Sequence, residues 1–130
     1  MSKDLLLDLF KKAKKKKIID KELISFLEDL FPEKSTTIIE VLKRGITKYI
    51  YKTSNRIAWT AMGENQEHLI YPRIYCSCQD FYKNVVVNRK RNFCKHILAQ
   101  IISEAFNNYK IVSLLDKEFG KLISDFKLQI

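Results

Sequence analysis

The chain has 130 residues and a mass of 15.4 kDa, and 46% of its residues are hydrophobic. That is enough for one domain with a modest core and excludes a chain disordered throughout. Lys and Arg total 24 against 15 Asp and Glu, a formal charge of +9, so the expected partners are polyanions: nucleic acid, an anionic membrane or an acidic protein.

The chain opens with a leucine-rich stretch from Asp4 to Leu9 that runs into the lysine tract Lys11 to Lys17, predicting one helix with a charged end. A second helix is expected from Asp20, a favourable N-cap, because Leu23, Ile24, Leu27 and Leu30 follow at helical spacing. A third spans Ser35 to Arg44, with Ile38, Ile39 and Leu42 on one face and Gly45 as its stop. Composition shifts at Ile46 to β-branched and aromatic residues. Three strands are predicted, near Ile46 to Lys52, Arg56 to Met62 and Glu67 to Tyr75, joined as an antiparallel meander by turns at Thr53 to Asn55 and Gly63 to Asn65. Cys94 to Asn107 reads as a helix carrying the stripe Ile97, Leu98, Ile101, Ile102, Ala105 and Phe106. A last helix is expected from Ser113, with Leu115, Phe119, Leu122, Ile123 and Phe126 on its apolar side. The fold class is therefore α+β, divided into an N-terminal helical segment (1–45), a central domain (46–108) and a C-terminal helix (109–130).

No apolar run approaches the ~20 residues that would cross a bilayer, and Asp4 and Asp8 occupy a stretch that a signal peptide would keep basic. An intracellular protein without membrane attachment is expected. Three cysteines, an odd number in a reducing compartment, make a disulfide framework a poor explanation for them.

Instead they fall into Cys76-Ser77-Cys78 and Cys94-Lys95-His96. Thiolate and imidazole are preferred ligands of Zn²⁺, and four of them close a tetrahedral structural site. Residues two apart on a strand point to the same side, so Cys76 and Cys78 can reach one ion. Cys94 and His96, at the start of the following helix, supply the other pair where the helix dipole favours thiolate. One structural Zn²⁺ with no open coordination position is expected. The competing readings are small buried cysteines beside a surface histidine, and a Cys94 nucleophile with His96 as its base. The latter lacks an orienting acid and an oxyanion site, so no catalytic residue is assigned. His68 reads as a surface residue.

The central region, residues 46–110, carries 10 basic and 4 acidic groups and so most of the excess charge. Between and beside the ligand pairs lie Lys83, Arg89, Lys90, Arg91 and Lys95, interleaved with Phe81, Tyr82 and Phe93. Cations that track a phosphate backbone, with rings that stack on bases, make these five the candidate nucleic-acid contacts; a solvated basic loop over a core containing Phe81 and Phe93 is the alternative.

The pattern Cys-x-Cys, gap, Cys-x-His, preceded by strands and continued by a helix, resembles the SWIM-type zinc finger. With N-terminal helices, a small size and the run Cys-Lys-His-Ile-Leu-Ala at 94–99, the chain is similar to the SWIM subunit of Shu-type recombination mediators. The resemblance implies a non-enzymatic factor in homologous recombination that pairs with a RecA-like ATPase paralog and assists recombinase filaments on single-stranded DNA. The chain has no Gly-rich loop ending in Gly-Lys-Ser or Gly-Lys-Thr, so an ATPase partner would supply nucleotide chemistry. The alternative is a stand-alone SWIM module binding DNA or protein in transcription or transposition. Location would follow the host: cytoplasm or nucleoid in a prokaryote, nucleus in a eukaryote.

Overall fold

The computed structural model describes residues 5–32, 35–90, 93–115 and 117. Three helices come first: α1 (Leu5–Lys16), α2 (Lys21–Leu30) and α3 (Ser35–Arg44). Local chemistry sets their ends. The Asp20 carboxylate accepts from the Leu23 amide at 2.9 Å and so caps α2. Gly45, at φ +113°, closes α3 by donating its amide to the Val41 carbonyl at 3.0 Å, in a backbone conformation that costs a side-chain-bearing residue.

The strands are β1 (Ile46–Tyr51), β2 (Arg56–Met62), β3 (Glu67–Tyr71), β4 (Tyr75–Cys76) and β5 (Lys110–Leu114), and α4 (Lys95–Phe106) lies between the last two. They form one five-stranded mixed sheet of order β4-β3-β2-β1-β5. This corrects the predicted three-stranded antiparallel meander in two places. The expected third strand is cut at the Pro72-Arg73-Ile74 turn, where the proline has no amide to give a ladder and Arg73 takes φ 68°. The Ile74 amide returns to the Tyr71 carbonyl at 2.9 Å, and β4 pairs back on β3 with Cys76 opposite Ile70. The second correction concerns the helix expected from Ser113. Ser113 and Leu114 instead belong to β5, which runs parallel to β1 with Lys48 opposite Ile111. Leu115, from the apolar side of that expected helix, is described as neither helix nor strand, and Phe119, Leu122, Ile123 and Phe126 lie outside the described residues.

α4 is the centre of the molecule. It packs against α1 and α3 on one side and across β1 to β4 on the other, which leaves His96 to Ser103 buried on every face of the helix. One core cluster runs from Leu9 and Ala13 through Leu27, Ile38 and Val41 to Ile46, Trp59, Ile70 and the α4 residues. The opposite face of the sheet carries a smaller cluster of Tyr51, Ala58 and Leu69. There the Glu67 carboxylate accepts from Tyr49 at 2.9 Å and Thr60 at 2.7 Å, and burial together with that carboxylate pushes the Tyr49 hydroxyl up to about 12. Leu98 is fully buried where the helices and sheet converge. Leu98→Ala is therefore expected to destabilise the fold by about 2–5 kcal/mol, read as a lower midpoint in urea with an unchanged slope. No helix among the described residues is long and apolar enough to cross a membrane.

Candidate metal centre

The two cysteine pairs reach each other through the β3–β4 hairpin and the start of α4. Ser77 donates its amide to the Leu69 carbonyl at 2.9 Å, and its hydroxyl accepts from the Leu69 amide at 2.9 Å. Those two bonds extend the ladder beyond Cys76. Strand alternation then turns Ser77 to one side of the sheet and Cys76 and Cys78 to the other. Cys94, in extended conformation at φ −110° and ψ 172°, is the N-cap of α4 and makes no side-chain capping bond. Its sulfur is left facing the hairpin, and His96 follows in the first turn.

The ligand atoms of Cys76, Cys78, Cys94 and His96 all lie within 4.8 Å of one another, and all four residues are buried. His96 presents Nδ1 to the cluster, 4.0 Å from the Cys94 sulfur. The protonation pattern tests whether the donors suit a cation. Hydrogen bonding to Cys78 and Cys94, reinforced by burial, pushes the Cys76 thiol up, and burial likewise pushes Cys94 up. Bonds from Cys76 and Cys94 hold Cys78 well below the usual thiol range. Without a metal the buried cluster thus disfavours a thiolate on every cysteine at once, with Cys76 and Cys94 pushed toward the thiol and Cys78 toward the thiolate. Three thiolates in this buried space need a divalent cation, and the donor set is that of a closed structural zinc site. The Phe81 amide donates to the Cys78 sulfur at 3.3 Å and steadies its negative charge.

His68 is the residue that the sequence pattern did not single out. It is half-buried on β3, and its ring lies 4.7 Å from the His96 ring, tilted by 46°. Hairpin arithmetic could have found it: with Ile70 opposite Cys76 and Leu69 bonded to Ser77, the next position outward, His68, comes opposite Cys78. Gly63 makes room for the pair. A Cβ there would come 2.6 Å from His68 Nε2 and 2.9 Å from the Gln66 carbonyl oxygen. Gly63→Ala is expected to displace His68 and free the His96 ring, weakening zinc affinity about 10- to 100-fold in competition with a chelator. His68→Ala should lose a similar amount, and His68→Phe, which keeps a ring to pack against His96, should recover most of it.

The candidate nucleic-acid residues divide. Lys83, Arg89 and Lys90 are exposed along and after a π-helical segment at Phe81–Val87, and Lys95 is half-buried at the start of α4. Arg91 lies outside the described residues. Of the three interleaved rings only Tyr82 is exposed, at 51%; Phe81 and Phe93 are 5% and 7% exposed and belong to the core. For these two rings the alternative reading holds: they pack in the core beneath the basic segment and offer no stacking surface.

No family model matches the chain, and no solved structure gives a significant match. Among curated proteins it is 29% identical over 123 residues to a Dictyostelium discoideum protein described as a zinc finger SWIM domain-containing protein 7 homolog. That alignment covers 92% of this chain and 78% of the relative. SWIM-type zinc fingers are typically non-catalytic adaptor modules associated with nucleic-acid or protein interactions. The chain is similar to a SWIM-type zinc-finger protein along most of its length, and its buried Cys₃His cluster has the composition that SWIM zinc coordination uses.

Proposed function

We propose that the chain is a zinc-stapled, non-enzymatic accessory protein of homologous recombination. In this reading Cys76, Cys78, Cys94 and His96 hold one Zn²⁺, whose work is to clamp the β3–β4 hairpin to α4. The chain pairs with a RecA-like ATPase paralog and assists recombinase filaments on single-stranded DNA, inside the cell at the site of the chromosome. The observation that supports it best is the likeness to a small SWIM protein along 92% of the chain, so that helices and sheet are included as well as the zinc motif. A filled Cys₃His shell offers no position for substrate, which agrees with an adaptor role.

The test is affinity capture of the tagged protein from its native cells, with nuclease present and zinc measured on the same preparation. About one zinc per chain and a co-purifying RecA-like ATPase are expected. Zinc without the ATPase would leave a SWIM module acting in transcription or transposition; absence of zinc would remove the ligand assignment.

Direct DNA contact is assigned to the exposed cations along and after the π-helical segment, with the exposed Tyr82 ring beside them to meet a base. Replacing Lys83, Arg89 and Lys90 by Ala is expected to weaken binding of oligo(dT) and to reduce the salt dependence of log K by about 2, at ~0.7 per phosphate contact. Unchanged affinity at low salt would remove this surface from the account.

A further inference from the structure

Away from the metal cluster, a groove of about 640 Å³ opens where the C-terminal ends of α3 and α4 meet the starts of β1 and β5. Its floor is apolar, built from Leu42, Ile46, Met62 and Phe106, and Met62 remains 41% exposed. Its rim is cationic, with Lys43, Arg44 and Lys110, and no carboxylate lines it. Arg44 reaches Glu64 at 3.7 Å, whereas Lys43 and Lys110 have no ion pair among the described residues. Gly45 sits between rim and floor, and a Cβ there would meet open space, so the backbone at this point is bare to an incoming group.

The charge of the rim calls for an anion and the floor for a bulky apolar group. Nucleic acid meets only the first demand. Bases need open ring faces, but the Tyr109 ring has the Lys48 ammonium over it at 5.8 Å and packs edge-on against Trp59 at 5.0 Å. The remaining floor is mostly aliphatic. A peptide meets both demands: a bulky side chain fills the groove while carboxylates beside it pair with the lysines. β5 adds to this, because among the described residues it is an edge strand of the sheet, beginning at Lys110 beside the groove.

We propose that this groove docks a short acidic segment of a partner protein, one bulky apolar side chain seated over Leu42, Ile46, Met62 and Phe106 and its carboxylates held by Lys43 and Lys110. The site is distinct from the metal cluster and does not depend on the recombination reading. It is tested with the zinc-loaded full chain as bait for a random 12-residue peptide library displayed on phage. Enrichment of sequences with one Leu, Phe or Trp flanked by Asp or Glu is expected. A synthetic peptide of that consensus should shift the amide resonances of Ile46, Met62 and Phe106. The exposed double charge reversal Lys43→Glu with Lys110→Glu should weaken it about tenfold and leave the fold's NMR spectrum otherwise intact. A basic or neutral consensus, no enrichment, or binding indifferent to the double reversal overturns the proposal. Displacement of the peptide from these residues by oligo(dT) would make the groove a nucleic-acid site instead. Self-association abolished by the double reversal would make its occupant a second copy of the chain, and either result likewise overturns the assignment.

Discussion

Removing zinc with a chelator, or replacing Cys94 by Ser, is expected to abolish cooperative unfolding of the β3–β4 hairpin and α4, read as loss of near-ultraviolet circular dichroism and of amide protection from Ile97 to Ile102. The reason lies in where the cluster sits. Cys94 is the N-cap of α4, and α4 is the helix against which α1, α3 and four strands pack. The metal-free cluster would leave three buried sulfurs and an imidazole with little compensation, while structural zinc contributes on the order of 10 kcal/mol in small zinc domains. Whole domains of this size are stable by only ~5–15 kcal/mol. The N-terminal helices alone cannot replace that contribution, because α1 and α3 bury their apolar faces against α4. A chain that keeps its amide protection after zinc is stripped would show that packing alone supports α4.

The second large effect is on pH. Zinc affinity is expected to rise about 100-fold per pH unit through the neutral range if the metal-free chain stays folded, and about 1000-fold per unit if it unfolds. The sign follows from the thiols. In the folded metal-free state burial and mutual hydrogen bonding push Cys76 and Cys94 up, toward the protonated thiol, and push Cys78 down, toward the thiolate. Binding must expel the first two protons, so acid opposes it and alkali favours it until the raised thiols ionise by themselves. In an unfolded chain all three cysteines return to an ordinary thiol pKa near 8.5 and a third proton is released. Counting protons by calorimetry in buffers of different ionisation enthalpy checks this. Two or three per zinc agree with the cluster; zero would mean that the thiolates are stabilised by something other than the metal.

Much of the candidate site is legible in the sequence because its chemistry is local. Cys76 and Cys78 come from one strand end and Cys94 and His96 from one helix start, so their spacing already encodes their convergence. The helices are legible for the same reason: Asp20 caps α2, Gly45 ends α3, and α4 carries its apolar residues at helical spacing. The turns at Thr53 to Asn55 and at Gly63 are legible likewise, Asn55 being a residue suited to the positive φ it takes.

What depends on partners distant along the chain is not legible in this way. Lys110–Leu114 is five residues long, too short for its alternation to be told from the opening of a helix, and its partner β1 lies about sixty positions earlier. The break at Pro72 is visible as a residue but not as an extra strand, because β4 is only two residues long and exists through its pairing with β3. Phe81 and Phe93 have the look of stacking rings until the fold buries them, and His68 that of a surface residue until the hairpin carries it against His96. By itself the sequence determined helices α1 to α4, the polyanion-seeking charge and the four side chains that gather into the Cys₃His cluster, since propensity, capping and residue spacing act within a few residues. Only the tertiary structure decided the mixed sheet, the packing around His96 and the cation-rimmed groove, because each is made by surfaces that meet after the chain has closed on itself.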